Sequence, residues 1–174
     1  MIFSKKSPIF LRATEPEDLD FIYATENDPL LWNISNTIAP YSKQTLEEYL
    51  KFSTKDIFET KSLRLMISIK SSKETAGIID LFNFEPIHFR AEIGIFISEQ
   101  YREQGYASEA ISLLTDYAFR YLKLNQMYCN IIEGHQRSIR LFESHGFENT
   151  GTKKNWINTP SGFKDVLFFS LFSS

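Results

Sequence analysis

The stretch "AEIGIFISEQYREQGYASEA", residues 91–110, changes its period halfway along. Up to Ser98 it alternates: Ile93, Ile95 and Ile97 fall on one face, Glu92 and Gly94 on the other, the period of a strand. From Ala107 the apolar residues recur at helical spacing, with Ala110, Ile111, Leu114, Tyr117, Ala118, Tyr121 and Leu122 on one face of a helix over 107–122. Between the two lie Arg102, Glu103, Gln104, Gly105 and Tyr106. A helix N-terminus exposes backbone N–H groups without intrahelical partners, and its dipole adds about half a positive charge there. A glycine at that junction lets the backbone come close to phosphate oxygens, and Arg102 adds a long cation. The run therefore suits an anion cradle. Taken alone, it also suits a solvent loop.

Working outward, the chain reads β-α-α-β-β-β-α-β-α-β. "IFLRA" (9–13) is a first strand, and "TEPED" opens a helix with Thr14 as cap, Glu17 three residues later and Pro16 in the first turn. "NDP" (27–29) ends it. "LLWNISNTIAPY" (30–41) reads as a long connection that offers Trp32 and Tyr41 to a site, and one helix is expected after Ser42, running through "TLEEYLKFSTKDIFE" (45–59). Strands follow at 63–69, 76–84 and 91–98, the last two as an antiparallel hairpin. "MYCNII" (127–132) is a strand, "SIRLFESH" (138–145) a short helix stopped by Gly146, and "DVLFFSLF" (165–172) a closing strand, with one further strand near residue 150. The expected class is α/β (α+β), with a mixed, largely antiparallel sheet flanked by helices, in one domain over 1–174.

Composition narrows the function. A net charge of −3 argues against a nucleic-acid protein, which would carry a basic face. Cys129 is the single cysteine, has no internal partner, and sits in an apolar run as a core thiol; it fits a reducing cytoplasm. The start "MIFSKKSPIFLR" has no apolar stretch of signal-sequence length, and no segment approaches the ~18 apolar residues of a membrane span, so no membrane partner is expected. His88, His135 and His145 lack metal-ligand spacing, so no metal site is expected either. Glu47, Glu48, Asp28, Asp80 and Glu85 could form an acidic pocket for an amine, and surface solvation explains them as well.

With these residues in view, the stretch 91–110 resembles motif A of the GNAT acetyltransferase superfamily, [QR]-x-x-G-x-[GA] between a strand and a helix; Arg102, Gly105 and Ala107 fill its defined positions. "HQRSIRLFESHGF" (135–147) is similar to the family's second block, with Ser138, Leu141, Gly146 and Phe147 matching. "LRATEPEDLDFIYATENDPLLW" (11–32) and "WINTPSGFKDVLFFSLF" (156–172) resemble the branch that acetylates ribosomal-protein N-termini and polyamines. The resemblance implies a GNAT-like sheet with splayed strands and transfer of an acetyl group from acetyl-coenzyme A, as co-substrate, to a primary amine. The acceptor would be a small-molecule amine or a peptide N-terminus. A homodimer is left open.

The resemblance also implies site roles. The pantetheine would lie between strands 91–98 and 127–133, pairing with backbone groups of Phe96 and Ile97. Arg102, Gln104, Gly105, Tyr106 and Ala107 would hold the pyrophosphate, and His135, Ser138 and Phe142 would complete the cofactor site. Glu92 is the candidate base. Two positions depart from the pattern: His135 stands where the family has Asn, and Phe142 replaces a Tyr that in many members protonates the leaving thiolate. The alternative that Phe142 keeps open is a catalytically silent acyl-coenzyme A sensor.

Overall fold

The computed structural model describes residues 1–35, 37–52 and 55–173. Two strands, β1 (Ile2–Phe3) and β2 (Ile9–Ala13), lead through a short 3-10 turn at Pro16–Asp18 into α1 (Leu19–Glu26). The cap of that turn is Glu15, not Thr14. Glu15 is the extended residue at the turn's start, and its N–H donates to the Asp18 carboxylate at 2.9 Å, one position later than the sequence pattern suggested. Arg12 fixes the same turn from β2, with guanidinium bonds of 2.6 and 2.7 Å to Asp18. A two-pronged contact of this kind sets direction as well as distance.

The connection read over 30–41 contains a helix, α2 (Pro29–Ser35). Pro29 occupies its first turn and the Asp28 carboxylate accepts the Leu30 N–H at 2.9 Å, so the "NDP" that ends one helix also starts the next. The helix expected over 45–59 is split into α3 (Lys43–Phe52) and α4 (Ile57–Thr60). Asp56 accepts N–H bonds from Phe58 and Glu59 as an N-cap, which a carboxylate does better than it serves a helix interior. Residues 53–54 of that expected helix lie outside the described residues.

Next come β3 (Leu63–Ile69), β4 (Thr75–Glu85), β5 (Arg90–Ile97), α5 (Tyr106–Arg120), β6 (Gln126–Ile132), α6 (Gln136–Glu143), β7 (Glu148–Thr159) and β8 (Gly162–Phe172). They form an eight-stranded sheet in the order β1-β2-β3-β4-β5-β6-β8-β7. Every neighbouring pair is antiparallel except β5–β6, which is parallel. The strand expected near residue 150 is β7. Helix α5 stops one residue short of Tyr121, which is 74% exposed and stacked on Tyr117, so Tyr121 does not belong to the buried face.

Alternation sorts the sheet into two unlike faces. Ile67, Ile79, Leu81 and Ile93 meet Ile111, Leu114 and Ala118 of α5 in the main core. Each of these isoleucine and leucine side chains contributes about 1.5–3 kcal/mol through burial. On the opposite face a smaller cluster joins Met66 and Ile78 to Ile22 of α1 and Leu46 of α3. That thinner packing leaves room for a cavity beneath the first helices. Among the glycines, Gly77 permits the closest approach: a Cβ there would fall 2.0 Å from the Phe96 carbonyl oxygen.

Candidate active site

The parallel pair β5–β6 is joined only at Arg90–Gln126, Ala91–Met127 and Glu92–Tyr128. Beyond Glu92 the strands part, although β5 runs on to Ile97 and β6 to Ile132. One edge of β5 is thus open. Both backbone groups of a strand residue point to the same side, and the side alternates. Ser98 N–H donates to the Ala76 carbonyl at 2.9 Å, and Phe96 O faces Gly77, so Phe96 is turned toward β4. Ile95 and Ile97 are left facing the open edge. Of the backbone pair expected from the sequence, Ile97 faces the open edge and Phe96 faces β4; Ile95, Phe96 and Ile97 all border the cavity.

At the end of β5 the chain turns through Glu99–Tyr101 into the loop. Glu103 (φ 65°) and Gly105 (φ 79°) are both left-handed, a backbone conformation from which anion-binding nests are commonly built. Gly105 caps α5, and a Cβ on it would meet nothing within 4 Å. Its φ is what selects glycine, and the space beside it stays open for a ligand. Arg102, Ala107, His135 and Ser138 border the same cavity, of about 1030 Å³. Sequence reading missed Arg137 and Arg140, which also line it; their i, i+3 spacing on α6 was the available signal. The Arg102 Nε donates to the Ile97 carbonyl at 3.2 Å.

Three residues expected at the cofactor are not among those lining the cavity. Gln104 is exposed, with its amide on the Gln100 carbonyl, and Tyr106 packs against the main core. Phe142 is 4% exposed, its ring edge-on to Phe147 at 5.1 Å, so it serves the packing of α6.

Across the cavity, Arg64 of β3 donates to both Asp80 oxygens at 3.0 and 2.8 Å and to Glu26 at 2.5 Å. Its guanidinium lies 5.5 Å from the centre of the Tyr49 ring. Burial raises the Asp80 carboxyl above the ordinary carboxylate range, against the pull of Arg64. The same burial works against the Arg64 guanidinium, but Asp80, with Tyr49 and Glu26 behind it, outweighs that and raises its pKa. One cation is shared by two carboxylates, so this wall has a formal negative excess. Tyr41 joins it, whereas the Trp32 indole N–H is directed to the Glu26 carbonyl. Of the acidic residues considered from sequence, only Asp80 lines the cavity: Glu85 pairs with Arg90, Glu47 and Glu48 are exposed, and Asp28 caps α2. Glu26 gave no signal in the sequence that set it apart from other helix-end carboxylates.

Glu92 sits on the last joined rung of β5 and β6. Its two carboxylate oxygens accept amide N–H groups from both flanking strands, Asn130 Nδ2 at 2.6 Å and Asn83 Nδ2 at 2.9 Å. His145, expected only at the negative end of α6, is committed to α5: its Nε2 lies 2.9 Å from Ser108 Oγ, and burial lowers its pKa. Cys129 is buried, and that burial pushes its thiol up.

Residues 9–148 match the family described as the acetyltransferase (GNAT) domain. The chain is 28% identical over 162 residues to an uncharacterised N-acetyltransferase, p20, of Bacillus licheniformis, covering 92% of this chain and 90% of that protein. It is 26% identical over 144 residues to the spermidine N(1)-acetyltransferase of Escherichia coli (strain K12), covering 81% and 73%. The crystal structure of spermidine N-acetyltransferase from Vibrio cholerae in complex with CoA and spermine matches with a TM-score of 0.86 at 24% identity, over 96% of both chains; that likeness is one of fold.

Proposed function

The chain belongs to the GNAT acetyltransferase family, and from that premise we propose that it moves the acetyl group of acetyl-coenzyme A to a primary amine of a small polyamine. The observation that carries this reading is the parting of β5 and β6 together with one cavity along β5 that is lined both by Arg102, Arg137 and Arg140 and by Glu26, Arg64 and Asp80. The open edge at Ile95 and Ile97 suits the amides of a pantetheine lying as an added strand. The nest at 102–107 suits a pyrophosphate, with Arg102, Arg137 and Arg140 as its counter-charges. The wall of Glu26, Arg64 and Asp80 supports a cationic acceptor, as does the similarity to spermidine acetyltransferases. The single buried thiol supports the cytoplasm as the compartment.

The acceptor nitrogen attacks only as a neutral amine. From a reference pKa near 10.4, keeping it neutral at pH 7 costs roughly 4–5 kcal/mol. Glu92 is the base that takes the proton, directly or through a water. When the adduct collapses the thiolate leaves; with a reference pKa near 8.5 it does so without full protonation. Phe142 has no proton to give, and this route needs none from it. The silent-sensor alternative is not favoured, since the relatives are named as transferases.

The test is thiol release from acetyl-coenzyme A with spermidine, spermine and peptides beginning with Ser or Ala. Turnover on the polyamines well above the peptides is expected. Turnover on peptides alone would move the acceptor to a protein N-terminus, and inactivity on all of them would remove the polyamine reading.

A further inference from the structure

We propose that Asn83 and Asn130 are positioning residues that together hold the Glu92 carboxylate in one orientation at the point where β5 and β6 part. The inference rests on the reading of Glu92 as the base. Asn130 lies two residues past Tyr128, the last β6 residue joined to β5, and on the same face. Its side chain spans the opening gap, with Nδ2 2.6 Å from Glu92 Oε1. A carboxylate in such a contact accepts, so the amide nitrogen must face it and the amide oxygen must face away. That leaves Asn130 Oδ1 buried with no hydrogen-bond partner among the described residues. Buried polar atoms are nearly always satisfied, so this one marks a fold that tolerates a cost.

Asn83 approaches from the other side. It lies in β4 where the register with β5 slips between Phe82 and Glu85, and its φ is 49°. Asparagine tolerates the left-handed region better than most residues, but glycine would occupy it with less strain. The bulge aims its Nδ2 at Glu92 Oε2, 2.9 Å away. Bulges commonly redirect a side chain beside a site in this way. Packing alone explains neither asparagine: an apolar residue at 130 would leave no orphaned oxygen, and glycine at 83 no strain. Two separate costs, in the two strands flanking β5, converge on the two oxygens of one carboxylate. Neither amide can accept the amine's proton. They act through Glu92, by occupying one lone pair on each carboxylate oxygen and so fixing which ones stay free.

The experiment places Asn130→Leu and Asn83→Gly in the natural chain and in a Glu92→Gln background, and measures kcat, the KM for spermidine, the Kd for coenzyme A and the Tm. Glu92→Gln alone should lower kcat by about 10²–10⁴-fold. Each asparagine variant should lower kcat by about tenfold in the natural chain, the scale of a modest misplacement of a reacting group, and leave the coenzyme A Kd within about twofold. In the Glu92→Gln background neither should cause further loss, because the group they position is gone. Asn83→Gly should keep or raise the Tm. Normal kcat in both single variants, or equal losses in both backgrounds, would overturn the clamp and leave the base reading standing. Near-normal turnover of Glu92→Gln would remove the base reading and the clamp with it.

Discussion

The nest at the end of β5 is made by one run of chain, residues 98–107, while the wall opposite takes Glu26 from α1, Arg64 from β3 and Asp80 from β4. The nest works with backbone: two left-handed residues, a helix N-terminus and an open space beside Gly105. The wall works with side chains, a half-buried guanidinium held between two carboxylates. A backbone site tolerates most side-chain changes and fails where φ or space is lost. A site of buried charges fails wherever one partner is removed. The two ends should therefore break differently, one in ligand binding and the other in folding.

The sharpest way to break the nest is Gly105→Asp. It puts a Cβ on a residue at φ 79° and a negative charge where a pyrophosphate would sit. Acetyl-coenzyme A affinity should fall by at least about 100-fold by calorimetry, given that a charged contact of this kind is roughly twice a neutral hydrogen bond and is here reversed in sign. The fold should persist, because the new Cβ meets no atom within 4 Å. Unchanged affinity would mean that the loop is not the phosphate site.

Arg64→Leu tests the wall. It leaves Asp80 and Glu26 facing each other without their cation, and losing one partner of a buried pair costs about 3–5 kcal/mol. At roughly 2–4 °C per kcal/mol for a chain of this size, the Tm should drop by about 6–20 °C. Coenzyme A affinity in the folded fraction should stay near that of the natural chain. A Tm that barely moves would show that packing, not charge, holds this wall.

His145 links the nest to α6 through Ser108 and offers the smallest effect. Burial lowers its folded pKa, with Glu109 opposing. The unfolded chain therefore takes up the proton first as pH falls. The stability it contributes is full above about pH 6.5 and is lost as pH drops through the lower, folded value. Denaturant titrations between pH 7.5 and 5 should show a slope that His145→Asn flattens. An unchanged slope would exclude His145 as its source.

Much of the nest is legible in the sequence, and the wall hardly at all. The change of period within residues 91–110 places a strand, a turn and a helix in sequence, and glycine at 105 carries its conformational reason with it. Arg137 and Arg140 were readable as one helix face, but only the fold brings that face to the loop. The motif match drew Phe142 toward the ligand, yet its apolar ring packs on Phe147, as hydrophobic burial favours. The helix over 45–59 was misjudged because an apolar period does not register a cap such as Asp56 inside it.

By itself, then, the sequence determined the order of strands and helices from residue 63 onward, the strand-to-helix junction at Gly105 and the family, since each depends on neighbours along the chain. The tertiary structure alone decided that Ile95 rather than Phe96 faces the open edge of β5, that Arg64 stands between Glu26 and Asp80, and that Asn83 and Asn130 meet on Glu92. These depend on strand register, and register has a period of two: a slip of one residue turns every side chain to the other face. No local pattern shows where β4 will bulge or β5 and β6 will part, because both are settled by packing against helices elsewhere in the chain.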